Sequence, residues 1–578
     1  MKKTDFIIVG ILLVLMFGWM YFFPSTKKPV SSPEPPVAET GSAQAPAPAG
    51  EKAAPALTAP AVKDAADAVA EKVDELLAPE QQLLLSNDQI ELTVSSHGGA
   101  IVSAVLNDYP ELNEPDSPPL TLNFSNAPAL CYGGLPLAAG TLTETEDGIV
   151  YTASLGDGQL FKRKLALEGE YQLVVEDEFV NTSDVPWALP ELRLPTGPMS
   201  NPQGTSAMKG ITTLGVDTFA PVEGITHWAK QFRKISAGVL EFTTTPQLVT
   251  TTPVDWVAAK NKFFVQILIP EQTATGFDFT VRREGEGKKQ EASEVSAALQ
   301  FNKELVGANE TVSRTVRAYI GPKDFESLKT LGMNQSEVME FKSVGFWKFM
   351  NPIMYPIKLA LLWGLIHLAP FGNYGIAILI LTIIVRVLFW PLTHKSTESM
   401  KRMQEFQPKI KEIQAKYKDN PQRMQQETMA FYKEHKINPM GGCLPMLIQI
   451  PVFIALFRVL RSAIELRFSK FLWIKDLSEP ENLFAGTFTV PLVGWDSLNI
   501  LPILMAATMM WQQKLTTGSA AATPEQQQQQ KMMAVMMPIM MLFFFYTMPS
   551  GLVLYWTTSQ ILMIAQLIIR KKKEVRSA

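Results

Sequence analysis

A set of long apolar runs in the second half constrains this 578-residue chain more than any other feature. They cover residues 374–392, 444–466, 532–548 and 552–569, with a shorter fifth run at 498–511. About 20 apolar residues are needed to cross a hydrocarbon core of about 30 Å as a helix. The four longer runs are close to that length. The fifth, at 1.5 Å per residue, reaches only about 21 Å. It is either a re-entrant segment or a true span in a locally thinned bilayer. The span is the reading that balances the topology.

The N-terminus supplies a sixth crossing. Lys2 and Lys3 precede an apolar run over residues 6–23, which ends in Trp19-Met20-Tyr21-Phe22-Phe23-Pro24. A cleaved signal peptide would have a shorter run and a small-x-small site after it. Residues 1–23 therefore read as an uncleaved anchor with its lysines in the cytoplasm. Six crossings place both termini there. The loop 394–440, with 10 Lys+Arg against 6 Asp+Glu, and the tail Arg570-Lys571-Lys572-Lys573 then also lie inside. Omitting the short span would put the tail outside.

Residues 24–80 form a linker. Within 29–79 stand 9 Pro and 15 Ala, a composition that extends rather than packs, apart from a candidate short helix at 61–77. Residues 81–325 read as an antiparallel β-sandwich domain. Apolar and polar residues alternate in Gln89-Ile90-Glu91-Leu92-Thr93-Val94, from Tyr171 to Phe179, and in Phe277-Asp278-Phe279-Thr280-Val281. Val312, Arg314, Val316 and Ala318 share one face. With 29 acidic against 17 basic residues over 81–320, this domain does not suit nucleic acid. His97 and His227 belong to no catalytic or metal motif, and Cys131 and Cys443 are too few for a disulfide scaffold. No metal or cofactor is expected. Gly285-Glu286-Gly287-Lys288-Lys289 lacks the spacing of a phosphate loop.

Two segments flank the first core span, in a core of five crossings over 371–578. Over 340–370, Trp347, Met350, Met354, Ile357 and Leu361 recur at helical spacing, with Lys348, Asn351 and Lys358 elsewhere and Pro352 and Pro356 interrupting. This predicts an amphipathic segment in the outer interface. Over 394–440, Met403, Phe406, Ile410, Ile413 and Tyr417 mark one arm of a helical hairpin, which Pro408 should kink. Asn420 is a candidate N-cap with Pro421 at the first helical position of the second arm, carried on by Met424, Thr428, Phe431 and His435.

The most expensive residue is Arg386, embedded in Ile383-Ile384-Val385-Arg386-Val387-Leu388-Phe389. An arginine at a helix centre costs roughly 2.5–3.5 kcal/mol on insertion scales. Helical side chains lean toward the helix N-terminus, so in an outside-to-inside helix Arg386 leans toward the bilayer centre and needs water or a polar partner. Thr382 lies one turn away. Gln449, Tyr555, Trp556 and Thr557 could line a shared cavity. Glu465, near an outer end, is the one acidic residue in the spans, and Arg461 could pair with it at i+4. Arg458 has no evident partner. Met532-Met533, Met536-Met537 and Met540-Met541 supply a soft apolar surface.

Arg386-Val387-Leu388-Phe389-Trp390-Pro391-Leu392-Thr393, Asn438-Pro439-Met440-Gly441-Gly442-Cys443-Leu444-Pro445 with Gln449-Ile450-Pro451, and Pro549-Ser550-Gly551-Leu552-Val553-Leu554-Tyr555 together resemble the YidC insertase family, related to the oxidase-assembly and Albino insertases. The resemblance covers nearly the whole chain and is to the Gram-negative type. It implies a polytopic helical protein of the inner membrane with a periplasmic β-supersandwich. It also implies an insertase and chaperone for nascent membrane proteins, working alone or with the Sec translocon and its accessory subunits, with contact to the ribosome or signal recognition machinery, and no enzyme activity. By the same resemblance Arg386, Thr382, Gln449, Tyr555 and Trp556 line a hydrophilic substrate groove. Trp556 replaces the second of two tyrosines found in the best-known members. Other readings are a secondary transporter, which would need paired ionisable groups and repeat symmetry, and an envelope enzyme acting through the β domain.

Overall fold

The computed structural model describes residues 79–203, 205, 213–228, 248–284, 291–342, 345–418, 420–435, 444–487, 495–516 and 524–577. The expected anchor, nearly all of the linker and the stretch 438–443 lie outside these residues.

Among the described residues the named strands of the acidic half all pair antiparallel. The largest sheet has nine strands in the order Gly224–His227, Gly215–Ala220, Trp256–Lys260, Phe264–Pro270, Thr311–Pro322, Gln172–Asn181, Gln159–Leu167, Gly148–Gly156 and Thr141–Thr145. A second sheet is built on the Gly276–Glu284 and Glu291–Phe301 hairpin, which is flanked by Leu192–Pro195 and Leu248–Thr250. A third runs through Gln82–Ser86, Ile90–Ser95, Ile101–Pro110 and Pro119–Asn123. The smaller sheets pack on opposite ends of the large one. The expected alternation is what makes this possible, because period-two strands bury one face and wet the other. Ile90, Leu92 and Val94 are buried, and Glu91 and Thr93 are not. Across the long pair, Val316 stands opposite Val175 and Ala318 opposite Leu173. Phe264–Pro270 departs from the pattern: all seven residues are buried, as in a central strand covered on both faces.

Two charge pairs are buried in this domain among the described residues, Lys260 with Asp217 and Arg163 with Asp177. Arg163 and Asp177 have fully buried side chains on adjacent strands and form a bidentate pair at 2.6 and 2.9 Å. Arg163 also donates to the carbonyls of Leu130 and Gly99. The guanidinium thus spans from the large sheet to loops at the third one.

Among the described residues nine α-helices follow the strands: α1 (Phe325–Thr330), α2 (Asn351–Leu368), α3 (Tyr374–Glu405), α4 (Gln407–Lys416), α5 (Pro421–Glu434), α6 (Leu444–Ser462), α7 (Ile500–Thr516), α8 (Pro524–Phe545) and α9 (Ser550–Ser577). Among the described residues three stretches, Lys348–Phe371, Tyr374–Pro391 and Ser550–Arg570, are long and apolar enough to cross a membrane, with Ala534–Phe545 a shorter apolar helix. The expected interruption at 352–356 does not occur. Pro352 falls in the first turn of α2, where its missing N–H is not needed, and the helix runs on through Pro356. Nor does α2 keep Lys358 on a polar face. Met354, Lys358, Leu361, Leu362 and Leu365 are all buried against α3 and α6, with the Lys358 ammonium donating to the Phe341 carbonyl.

α3 continues without a break from its apolar part into the basic region, which the separate hairpin reading did not anticipate. Instead of a kink at Pro408, the chain breaks at Phe406 and α4 begins with the proline in its first turn. The second arm forms as expected, with the Asn420 side chain accepting from Arg423 N at 3.1 Å and Pro421 opening α5. Phe406, Phe431 and His435 close the base of the hairpin, with ring centroids 4.2–5.9 Å apart.

Candidate functional site: a polar seam around Arg386

α3 is two-faced. Ile383, Ile384, Val387, Leu388 and Trp390 are exposed, as a lipid-facing surface requires, whereas Ala377, Ile378, Leu381 and Thr382 are buried in the bundle. Arg386 lies at the boundary and reaches across to α9. Its Nε donates to Ser559 Oγ at 2.8 Å and an Nη donates to the Ser559 carbonyl at 2.9 Å. Gln449 of α6 donates to the same hydroxyl at 3.4 Å. Three helices therefore meet at one serine, itself 1% exposed. Among the described residues no carboxylate lies within ion-pair distance of Arg386. Its charge is met by a hydroxyl and a carbonyl, both neutral.

The other sequence-derived positions fall around this point. Thr382 is fully buried one turn from Arg386, and its hydroxyl donates to the Ile378 carbonyl at 2.6 Å, so it bonds to its own helix rather than to the arginine. Thr557 does the same toward Val553. Tyr555 is buried one turn before Ser559 on α9. Trp556 packs edge-on to Phe453 at 5.1 Å and beside Phe545 at 5.4 Å, and its buried indole N–H has no acceptor among the described residues. The seam thus joins Arg386, Gln449 and α9, with Trp556 in an aromatic wall one turn away. Ser559 was missed in the sequence, although a hydroxyl three residues after Trp556 in an apolar run is a legible polar signal.

The start of α9 is held by the loop between α6 and α7. Ser550 N donates to Glu479 O at 2.8 Å and Gly551 N to Leu477 O at 2.9 Å. The Glu481 carboxylate accepts from Leu501 N at 2.7 Å, in the first turn of α7. Lys262 of the β domain grips the same loop through the Glu479 carboxylate and, at 2.8 Å, the Ser478 carbonyl.

Arg458 has a partner that spacing could not reveal. Its guanidinium meets Glu340 at 3.0 Å. Glu340 is also bonded at 3.1 Å by Lys260, which pairs in turn with Asp217, and Asp217 accepts from His227 at 2.8 Å if the imidazole is protonated at Nδ1. The α-helical i, i+4 arrangement expected for Arg461 and Glu465 is absent. α6 ends at Ser462, Ala463 is extended, and Glu465 lies in a separate 3-10 turn.

A helical bundle with apolar outer faces, an arginine held at an internal seam and a large antiparallel β domain docked on one end defines an integral membrane protein whose polar site lies among its spans. The 60Kd inner membrane protein family pattern matches residues 366–577, and that of the YidC periplasmic domain matches residues 82–355. The chain is 34% identical to the membrane protein insertase YidC of Syntrophobacter fumaroxidans over 75% of its own length and 78% of the relative's. It is 31% identical to that of Pelobacter propionicus over 88% and 89%. It is also similar to the crystal structure of an active YidC insertase with its first transmembrane domain resolved, at 19% identity and TM-score 0.33, over 87% of this chain and 98% of that one. The chain belongs to the YidC membrane protein insertase family. It is accordingly an inner-membrane insertase and chaperone rather than an enzyme, with residues 82–355 as its periplasmic domain.

Proposed function

We propose that the seam between α3, α6 and α9 is the hydrophilic groove through which this insertase passes the polar flank of a client, with Arg386 as its positive centre. The observation that carries the reading is that, among the described residues, Arg386 is hydrogen-bonded only by Ser559. A cation placed among apolar helices with neutral partners keeps an unmet attraction for anionic or hydrated groups. Thr382, Gln449, Tyr555 and Trp556 line the groove with it.

The client's apolar segment then leaves sideways past the exposed face of α3. Its burial in lipid supplies about 25 cal/mol per Å² of apolar area. The membrane potential adds about 2.3 kcal/mol per 100 mV for each acidic group that moves outward. In this reading the chain crosses the membrane six times, including residues 6–23 and the short α7, and both termini are cytoplasmic. The α4–α5 hairpin receives nascent membrane proteins from the ribosome or signal recognition machinery, and the Sec translocon is a partner for larger clients. α2 lies toward the outer interface.

The test is insertion of a small single-span client with an acidic flank into liposomes that hold only this protein, beside Arg386→Ala and protein-free liposomes. Insertion above the protein-free level that is lost in Arg386→Ala supports the groove. Equal insertion by both proteins removes Arg386 from the mechanism.

A further inference from the structure

On α9, Trp556, Ser559, Gln560 and Met563 are spaced three, one and three residues apart and so share one helix face. Ser559 turns that face toward α3 and α6 through Arg386 and Gln449. Met563 turns it toward α7, since its sulfur accepts from Gln512 at 3.0 Å. The face therefore runs from the seam, at Ser559, round toward α7, at Met563, with Trp556 and Gln560 on the same arc.

Two of its polar atoms are left over. The Trp556 indole N–H and the Gln560 amide oxygen are buried and have no hydrogen-bond partner among the described residues, and Gln560 as a whole is 8% exposed. Neighbouring hydroxyls are not in this position: Thr382, Thr508 and Thr557 each donate to a carbonyl of their own helix. A buried polar group without a partner costs about 1–3 kcal/mol, and the hydrocarbon core offers little water to relieve it.

We infer that Trp556 and Gln560 bind the main chain of the client, holding an extended stretch of its flank by one carbonyl and one N–H. This rests on the groove reading above and names what the groove recognises besides charge. The leftover pair is one donor and one acceptor, both neutral. A peptide group presents the complement of both. A lipid phosphate or ester presents acceptors only and would leave Gln560 unmet. Recognition of this kind is independent of side chains, as an insertase with varied clients requires. Arg386 then discriminates by charge, and the Trp556–Gln560 pair holds any sequence.

The test uses the full-length chain in liposomes and a synthetic single-span client with an uncharged flank. One flank amide at a time is replaced by an ester, which deletes an N–H and weakens a carbonyl. Insertion is measured relative to protein-free liposomes. The expected result is a loss of about five-fold at one or two flank positions, the equivalent of one hydrogen bond of about 1 kcal/mol, and disappearance of that sensitivity in Gln560→Met. Trp556→Phe, which keeps the ring and removes the donor, should lower insertion of all clients by a similar factor. A flat ester scan overturns the proposal, and so do ester and Gln560→Met losses that simply multiply. The scan on the unmodified protein stands even if a variant fails to fold. If Arg386→Ala abolishes insertion of acidic-flank clients while the ester scan is flat, only this inference fails. If both are without effect, the groove reading fails with it.

Discussion

Arg458 of α6 and Glu340, in the segment that leaves the β domain, form a 3.0 Å ion pair across the boundary between the helical bundle and the periplasmic domain. Burial pushes the Glu340 carboxyl up, but Lys260 and then Arg458 outweigh it and hold it well below the usual carboxylate range. A carboxylate with a depressed folded pKa contributes stability above its unfolded pKa of about 4.3, and that contribution is lost as the pH falls through the folded value. Arg458→Ala should therefore raise the folded pKa and let the junction loosen at a higher pH. Hydrogen exchange over residues 335–342 as a function of pH measures this. Identical acid midpoints in the two proteins would exclude a role for the pair in docking.

Lys323 behaves in the opposite sense. Burial first, and then the nearby Lys260, push its ammonium down from 10.5 to about 7. Between pH 7 and 10 the unfolded chain holds this proton and the folded chain does not, so stability should rise with pH across that window. Lys323→Met should stabilise the periplasmic domain at pH 7 by about 1–3 kcal/mol, because it removes a polar group that burial disfavours. It should also flatten the rise. Thermal unfolding of the full protein at pH 7 and pH 9.5 tests both effects.

The Arg163–Asp177 pair lies inside the β domain with neither side chain exposed. Asp177→Ala leaves a buried guanidinium with only the Leu130 and Gly99 carbonyls, and should cost about 3–5 kcal/mol. Replacing both partners, as Arg163→Met with Asp177→Leu, should cost clearly less, because no charge is stranded. Denaturant titration of the three proteins distinguishes the cases, and a double variant no better than Asp177→Ala would refute the stranded-charge account.

Ser559 accepts from both Arg386 and Gln449, so it competes with any client for the guanidinium. Ser559→Ala deletes one of the two acceptors facing Arg386. A charge-assisted hydrogen bond is worth about 1.5–3 kcal/mol. Photo-crosslinking of acidic-flank clients to the groove should rise by about ten-fold or more, while neutral clients change little. A parallel rise for both would show that the serine acts by bulk rather than by occupying the arginine.

Periodicity marks an element where one physical force acts locally. Alternation from Ile90 to Val94 and from Gln172 to Phe179 follows from the two-sided environment of a sheet, and Asn420-Pro421 announces a helix start by capping chemistry alone. It does not where the partner is distant. Helical spacing sets Lys358 apart from the apolar stripe of Trp347, Met350, Met354, Ile357 and Leu361. In the fold its ammonium finds the Phe341 carbonyl, so burial is tolerated. Arg461 and Glu465 were matched by spacing, but the helix ends between them.

Arg386 is the clearest division. Its residue type and apolar surroundings mark it from the sequence alone, because no arrangement of lipid can solvate a guanidinium cheaply. What meets it could come only from packing. Ser559 lies 173 positions away, and α3, α6 and α9 must be assembled before its hydroxyl, Gln449 and the arginine share one point. The same holds for Arg458 and Glu340, which are 118 positions apart. Apolar run length and alternation decided which segments become helix and strand, since those costs are set residue by residue. Tertiary structure decided which charges and hydrogen-bonding groups are satisfied and which are left open for a client, since a buried polar group is paid for only by a partner that folding brings to it.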